Sequence, residues 1–120
     1  MSKTEFGKYI YELRTSRNLT LRQLAEKVNI SPYYISYMEK GTKRNPSVEI
    51  MASMFNALEM SKKEIEHFLD LHAKANNCVS YDLVDFIMDN PEVRETIRAQ
   101  RDKKDSVPNW DDFMNKINNG

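Results

Sequence analysis

The densest run of chemically capable side chains is SPYYISYMEKGTKRNP, residues 31–46. Tyr33, Tyr34 and Tyr37 fall within five residues, and Lys40, Lys43 and Arg44 within the next stretch of the same length. Neighbours on a helix point about 100° apart, so the three tyrosines cannot all face one core. Tyr33 and Tyr37, four apart, share a face opposite Ile35 and Met38. A tyrosine offers a ring for a thymine methyl and a hydroxyl for base edges or phosphates. The cations that follow suit a polyanion backbone. Tyr34 is expected half-buried or at the backbone edge.

Other reactive residues carry less. His67 and His72 lie five apart rather than four, which does not put two metal ligands on one helix face; His72 is expected as a satisfied core or interface histidine. Asp82, Asp85 and Asp89 align along one helix face without a fourth ligand or a calcium-loop glycine, so they read as a solvated face. Arg94, Arg98 and Arg101 form a second basic stripe, with Glu95 and Asp102 placed to pair with Arg98. The lone cysteine, Cys78, excludes an internal disulfide and reads as a small apolar filler. There is no P-loop, dinucleotide loop, nucleophile elbow or HExxH, and three glycines leave little backbone to cradle phosphates. Neither an enzyme nor a cofactor or metal is expected.

These residues need a helical scaffold. The chain has 120 residues, 40% hydrophobic and 30% charged, with zero net charge. Scarce glycine with abundant Glu, Lys, Leu, Met and Ala predicts an all-α fold. Residues 1–60 carry nine Lys/Arg against six Asp/Glu, net +3, and residues 61–120 nine against twelve, net −3. The basic half is the one expected to meet a polyanion. No apolar run approaches the roughly 18 residues of a membrane span, and the N-terminal MSKTEFGKYIYELR lacks a signal peptide's apolar stretch. A cytoplasmic location is expected.

Periodicity and capping place the elements. A first helix over residues 4–17 carries Phe6, Ile10 and Leu13, with Tyr9 beside them, and stops near Asn18. Thr20 with Gln23 forms a capping box for a second, burying Leu21, Leu24, Ala25 and Val28. After Asn29 and Ile30, Ser31 caps a third with Pro32 at its first position, ended by Gly41. Ser47 caps a fourth, expected to bury Val48, Met51, Ala52 and Phe55 and to close at Leu58. Ser61 and Glu64 cap a longer fifth through Ile65, Phe68, Leu69, His72 and Ala75. Beyond residues 76–77 come a short amphipathic helix over 81–88, with Leu83, Val84 and Ile87 opposite the aspartates, and another from Pro91 to about Lys103 with a seam of Val93 and Ile97. A final helix from about Asn109 carries Trp110, Phe113 and Ile117, the first two expected to pack.

Helices two and three, joined by a tight turn holding an apolar residue, have the form of a helix-turn-helix, whose second helix enters the DNA major groove by its N-terminal end. The run LRTSRNLTLRQLAEKVNISPYYISYMEKGTKRNPSVEIMASMFNAL, with LTxxxLA, SxxxIS, MEKG and the Pro-Ser opening to helix four, resembles the Cro/repressor (XRE-type) helix-turn-helix regulators. The resemblance covers residues 6–72 and implies a five-helix repressor-like domain with a C-terminal helical extension. It implies that Pro32, Tyr33, Ser36 and Tyr37 read bases, that Thr42, Lys43 and Arg44 meet the backbone, with Lys40 beside them, and that Arg14 and Glu39 form a structural ion pair. Leu21 stands where many members carry a phosphate-touching glutamine, and Asn29 where the turn usually has glycine. The tail, with DNPEVRETIRAQRD and NWDDF, is similar to extensions of some such regulators.

The expectation is therefore a DNA-binding domain over residues 1–76 and a regulatory or dimerising extension over 77–120. The implied protein is a repressor of phage or mobile-element type that covers a double-stranded operator as a homodimer. The alternative is an antitoxin or adaptor whose tail grips a protein partner.

Overall fold

The computed structural model describes residues 4–103 and 110–119, with side chains for 4–103 and 114–118. Among these residues there are eight helices: α1 (Glu5–Ser16), α2 (Leu21–Val28), α3 (Pro32–Lys40), α4 (Val48–Ala57), α5 (Lys62–Asn76), α6 (Tyr81–Asp89), α7 (Pro91–Lys103) and α8 (Trp110–Asn119). No described residue lies in a strand. No described helix is long and apolar enough to cross a membrane.

Local chemistry starts and stops these helices. Thr4, Thr20, Ser31, Ser47 and Ser61 each accept a backbone N–H of the first turn. At Thr20/Gln23 and Ser61/Glu64 the bond is returned by the side chain three residues on, completing both capping boxes. Helix ends turn left-handed at Asn29 (φ 63°), Gly41 (φ 85°) and Asn77 (φ 53°), and Asn18 (φ 56°) follows α1. Asparagine tolerates that region better than other residues with a Cβ. Glu59 (φ 48°) does the same after α4, without that advantage.

The chain divides into two compact units, Met1–Leu83 and Val84–Gly120. The first has a continuous core in which Phe6, Ile10, Leu24, Ile35, Met38, Met51, Met54, Leu58 and Phe68 are almost wholly removed from water. Phe68 meets Phe6 and Phe55 edge-on, with ring centroids 4.9 and 5.1 Å apart. Two expected inward faces are corrected. Leu21 is only partly buried at the start of α2. On α4 the buried stripe is Met51, Met54 and Leu58, with Phe55 partly buried, while Val48 and Ala52 face solvent. Both stripes satisfy helical spacing, and packing against α2 selects the one used.

Helix α1 crosses α3 at Gly7. A Cβ there would lie 2.5 Å from the Glu39 carbonyl oxygen and 2.6 Å from that of Met38, so the helices approach backbone to backbone. Alanine would add about 1 kcal/mol of helix propensity, which such an overlap more than offsets. Beside this contact, Arg14 Nε donates to Glu39 Oε2 at 2.7 Å and its Nη2 to Oε1 at 3.0 Å, while Nη1 donates to the Leu19 carbonyl at 2.9 Å. Both side chains are nearly buried. Arg17 ties the end of α1 to the Leu58 carbonyl and to Glu64.

His72 is wholly buried, between the edges of Phe6 and Tyr81 (centroids 5.5 and 4.9 Å). Its Nε2 lies 3.0 Å from Asn45 Oδ1, but Nδ1 has no partner, so the histidine is half satisfied, not satisfied. Cys78 is exposed rather than a filler, because the left-handed Asn77 turns the chain out of α5. Ser80 donates to Asp70.

In the second unit, Arg94 donates to the Ile87 and Met88 carbonyls and so caps the end of α6. Asp102 pairs with Arg101, not with Arg98, at 3.2 Å. Phe86, Met88, Ile97, Met114 and Ile117 are about half exposed or more. The packing expected of Trp110 and Phe113 lies outside the described side chains.

Breaking the Arg14–Glu39 pair strands a guanidinium in the core, so Glu39→Ala should cost about 3 kcal/mol. An unchanged denaturant midpoint would refute that.

Burial lowers the His72 pKa below its ordinary 6.5. The unfolded chain then binds more protons below about 6.5, so stability is full above that value and is lost as pH falls through the folded one. Glu64, held low chiefly by the Ser61 backbone N–H, adds its loss only below about 4.5. The melting temperature should therefore drop from pH 7.5 to 5.5, and drop less in His72→Gln. Equal drops in both proteins would show that His72 does not stay neutral in the fold.

Candidate nucleic-acid interface

Ser31 and Pro32 start α3 and Ile35 and Met38 anchor it, which leaves its other side to solvent. Tyr33 is 73% exposed and Tyr37 45%. Pro32, Tyr33, Ser36, Tyr37 and Lys40 line one open groove of about 620 Å³, together with Leu21 and Arg22 from the first turn of α2. Five of the eight residues expected at the interface thus share one surface. Tyr34 is partly buried against the core, as its spacing suggests.

Thr42, Lys43 and Arg44 are exposed and lie on the turn after α3 rather than in the groove. The Thr42 and Lys43 amides both donate to the Tyr37 carbonyl, at 2.9 and 3.1 Å, so the turn is strapped to the end of α3. Lys43 Nζ sits 5.7 Å above the Tyr34 ring, a cation–π contact that leaves the ammonium in water. Arg44 Nε donates to the Gly41 carbonyl at 3.2 Å.

The electrostatics follow from what is cancelled. Glu39, the acid on α3, is consumed inside the core by Arg14. Arg22 and Lys40 are the charged residues of the groove lining, with Lys43 and Arg44 beyond it. The amino end of α2 adds the partial positive charge of a helix terminus. Arg22 joins the groove without being among the residues expected there from the sequence. Its signal was its place two residues after the Thr20 cap, where a side chain stands beside the amino end of the following helix. Among the described residues no three His, Cys, Asp or Glu side chains converge as for a metal.

The family model for the helix-turn-helix matches residues 10–65. Two proteins of Mycobacterium tuberculosis, from strains CDC 1551 / Oshkosh and ATCC 25618 / H37Rv and both named uncharacterized HTH-type transcriptional regulators, are 34% identical over 55 residues. That stretch is 46% of this chain and 39% of each relative, so the chain spans about two fifths of the length of the curated relatives it matches. A chain of the solved SinR protein/SinI protein complex is 22% identical, with a TM-score of 0.49, over 83% of this chain and 98% of that one. Residues 10–65, which carry the α2–α3 pair and its caps, are thus the segment similar to the helix-turn-helix family, in line with the resemblance to regulators of the Cro/repressor (XRE) type.

Proposed function

We propose that the protein is a sequence-specific DNA-binding transcriptional regulator, a repressor of phage or mobile-element type without catalytic activity, working in the cytoplasm. The observation that carries this reading is the tyrosine-lined groove between α2 and α3, rimmed by cations whose one acidic neighbour on α3 is neutralised within the core. In it α3 lies in the major groove. Pro32, Tyr33, Ser36 and Tyr37 meet base edges, and Arg22, Lys40, Thr42, Lys43 and Arg44 meet phosphates. A homodimer lays two such helices in successive major grooves, about 34–36 Å apart, and blocks a promoter by covering it.

A second reading draws on the exposed apolar residues of α6, Phe86 and Met88, which suit a protein partner as well as a twin. In that case the chain acts as an antitoxin or adaptor.

Base readout and phosphate attraction separate by salt. Tyr37→Ala should remove about 1–3 kcal/mol of discrimination at one base position and leave the salt dependence unchanged. Arg44→Ala should weaken binding to every sequence and lower the salt slope by about one unit. The measurement is titration of a duplex selected from random DNA, and of its scrambled counterpart, at several salt concentrations. If Tyr33 and Tyr37 both become alanine with preference intact, the tyrosine face does not read bases.

On assembly, truncation after Leu83 follows the boundary of the first compact unit and retains Tyr81, which packs on His72 in the full chain. The truncated chain should stay helical and dimerise more weakly by sedimentation. Equally tight dimers would assign residues 84–120 to the partner reading.

A further inference from the structure

The turn between α3 and α4 is gripped from behind by α5, at the level of its backbone and of its Asn45 side chain. Asn76 Nδ2 donates to the Arg44 carbonyl at 2.7 Å and is itself pinned by a second bond to the His72 carbonyl at 2.9 Å. One residue on, Asn45 Oδ1 lies 3.0 Å from His72 Nε2, and Pro46 beyond it is fully buried. With Tyr37 holding the Thr42 and Lys43 amides from the other side, the turn is fastened at both ends.

His72 makes this grip informative. With Nε2 donating to Asn45 Oδ1, Nδ1 of the neutral ring is an acceptor with no protein partner. A buried acceptor left unpaired costs stability, and an apolar side chain of similar volume between Phe6 and Tyr81 would avoid that cost. What the imidazole supplies and an apolar side chain would not is its reach to Asn45.

We infer that Asn45, His72 and Asn76 are positioning residues: a clamp that sets the basic turn of residues 42–44 in advance for the phosphate backbone. This rests on the DNA-binding reading and deepens it. A turn ordered beforehand loses little conformational entropy on contact, whereas an unclamped one must be ordered by the DNA itself. The clamp contributes affinity for any sequence and no base discrimination.

The test uses the full chain and three variants, Asn76→Ala, His72→Phe and His72→Gln, with the selected and scrambled duplexes, well below each melting temperature. Asn76→Ala and His72→Phe should weaken binding to both duplexes by a similar factor of several-fold and lower the salt slope by up to about one unit, preference being kept. Hydrogen exchange at the Thr42 and Lys43 amides should quicken in both. His72→Gln, whose amide nitrogen can replace Nε2, should recover most of the affinity. His72→Phe should melt no lower than the parent; if it does melt lower, Asn76→Ala, at the partly exposed end of α5, decides alone. Parent-like affinity, slope and exchange in Asn76→Ala, with Arg44→Ala still impaired, would overturn the clamp and spare the DNA-binding reading. A parent protein that binds neither duplex would overturn both.

Discussion

The arrangement of the first unit depends on one guanidinium. Arg14, on α1, uses its three donor nitrogens to hold both oxygens of Glu39 at the end of α3 and the carbonyl of Leu19 in the turn before α2. Both helices of the helix-turn-helix are therefore referenced to α1. A buried pair of this kind adds little net stability, since desolvation of both charges opposes their attraction, but it penalises any arrangement that separates them. Backbone contact at Gly7 sets the distance at which the pair closes. Together they fix the pitch of α3, and so the direction in which Tyr33 and Tyr37 point.

The same pair shapes the surface potential. In the proposed reading, a solvated acid on α3 would repel phosphates. Turned inward and neutralised, Glu39 leaves Arg22 and Lys40 as the charged residues of the groove lining, with Lys43 and Arg44 on the turn beyond it. A chain with zero net charge thus presents basic residues along the groove, while the acids gather in the second half. Tyrosine suits such a face because its ring spans apolar and wet surroundings with few rotatable bonds. The two exposed rings are tolerable in water because each ends in a hydroxyl.

Rigidity is distributed unevenly within the unit. Helix α3 is held by core side chains and by the ion pair, whereas the turn after it depends on a handful of hydrogen bonds from Tyr37, Asn76 and His72. Tyr81, at the start of α6, covers the same histidine. Residues beyond α5 therefore belong to the packing of the first unit as far as Leu83.

Much of this was legible in the residues because it is local. Thr20 with Gln23, Ser61 with Glu64, Ser31 before Pro32, and Asn29 as a left-handed stop need only a few neighbouring residues, so their bonds form wherever the segment is helical. The groove residues on α3 were readable for a similar reason: Ile35 and Met38 define the inner face, and geometry assigns Tyr33 and Tyr37 to the other. Arg14–Glu39 was reached by resemblance, since residues 25 apart carry no local signal of contact. The tertiary structure alone put Met54, and not Val48 or Ala52, beside Met51 and Leu58 on the buried face of α4, because 3.6 residues per turn permits stripes through either set and the neighbouring α2 decides which is covered. It alone brought His72 to Asn45, Asn76 to Arg44 and Gly7 to the Glu39 carbonyl. Those contacts depend on how helices distant in sequence cross, and a crossing is set by the whole packed interface rather than by any segment of it.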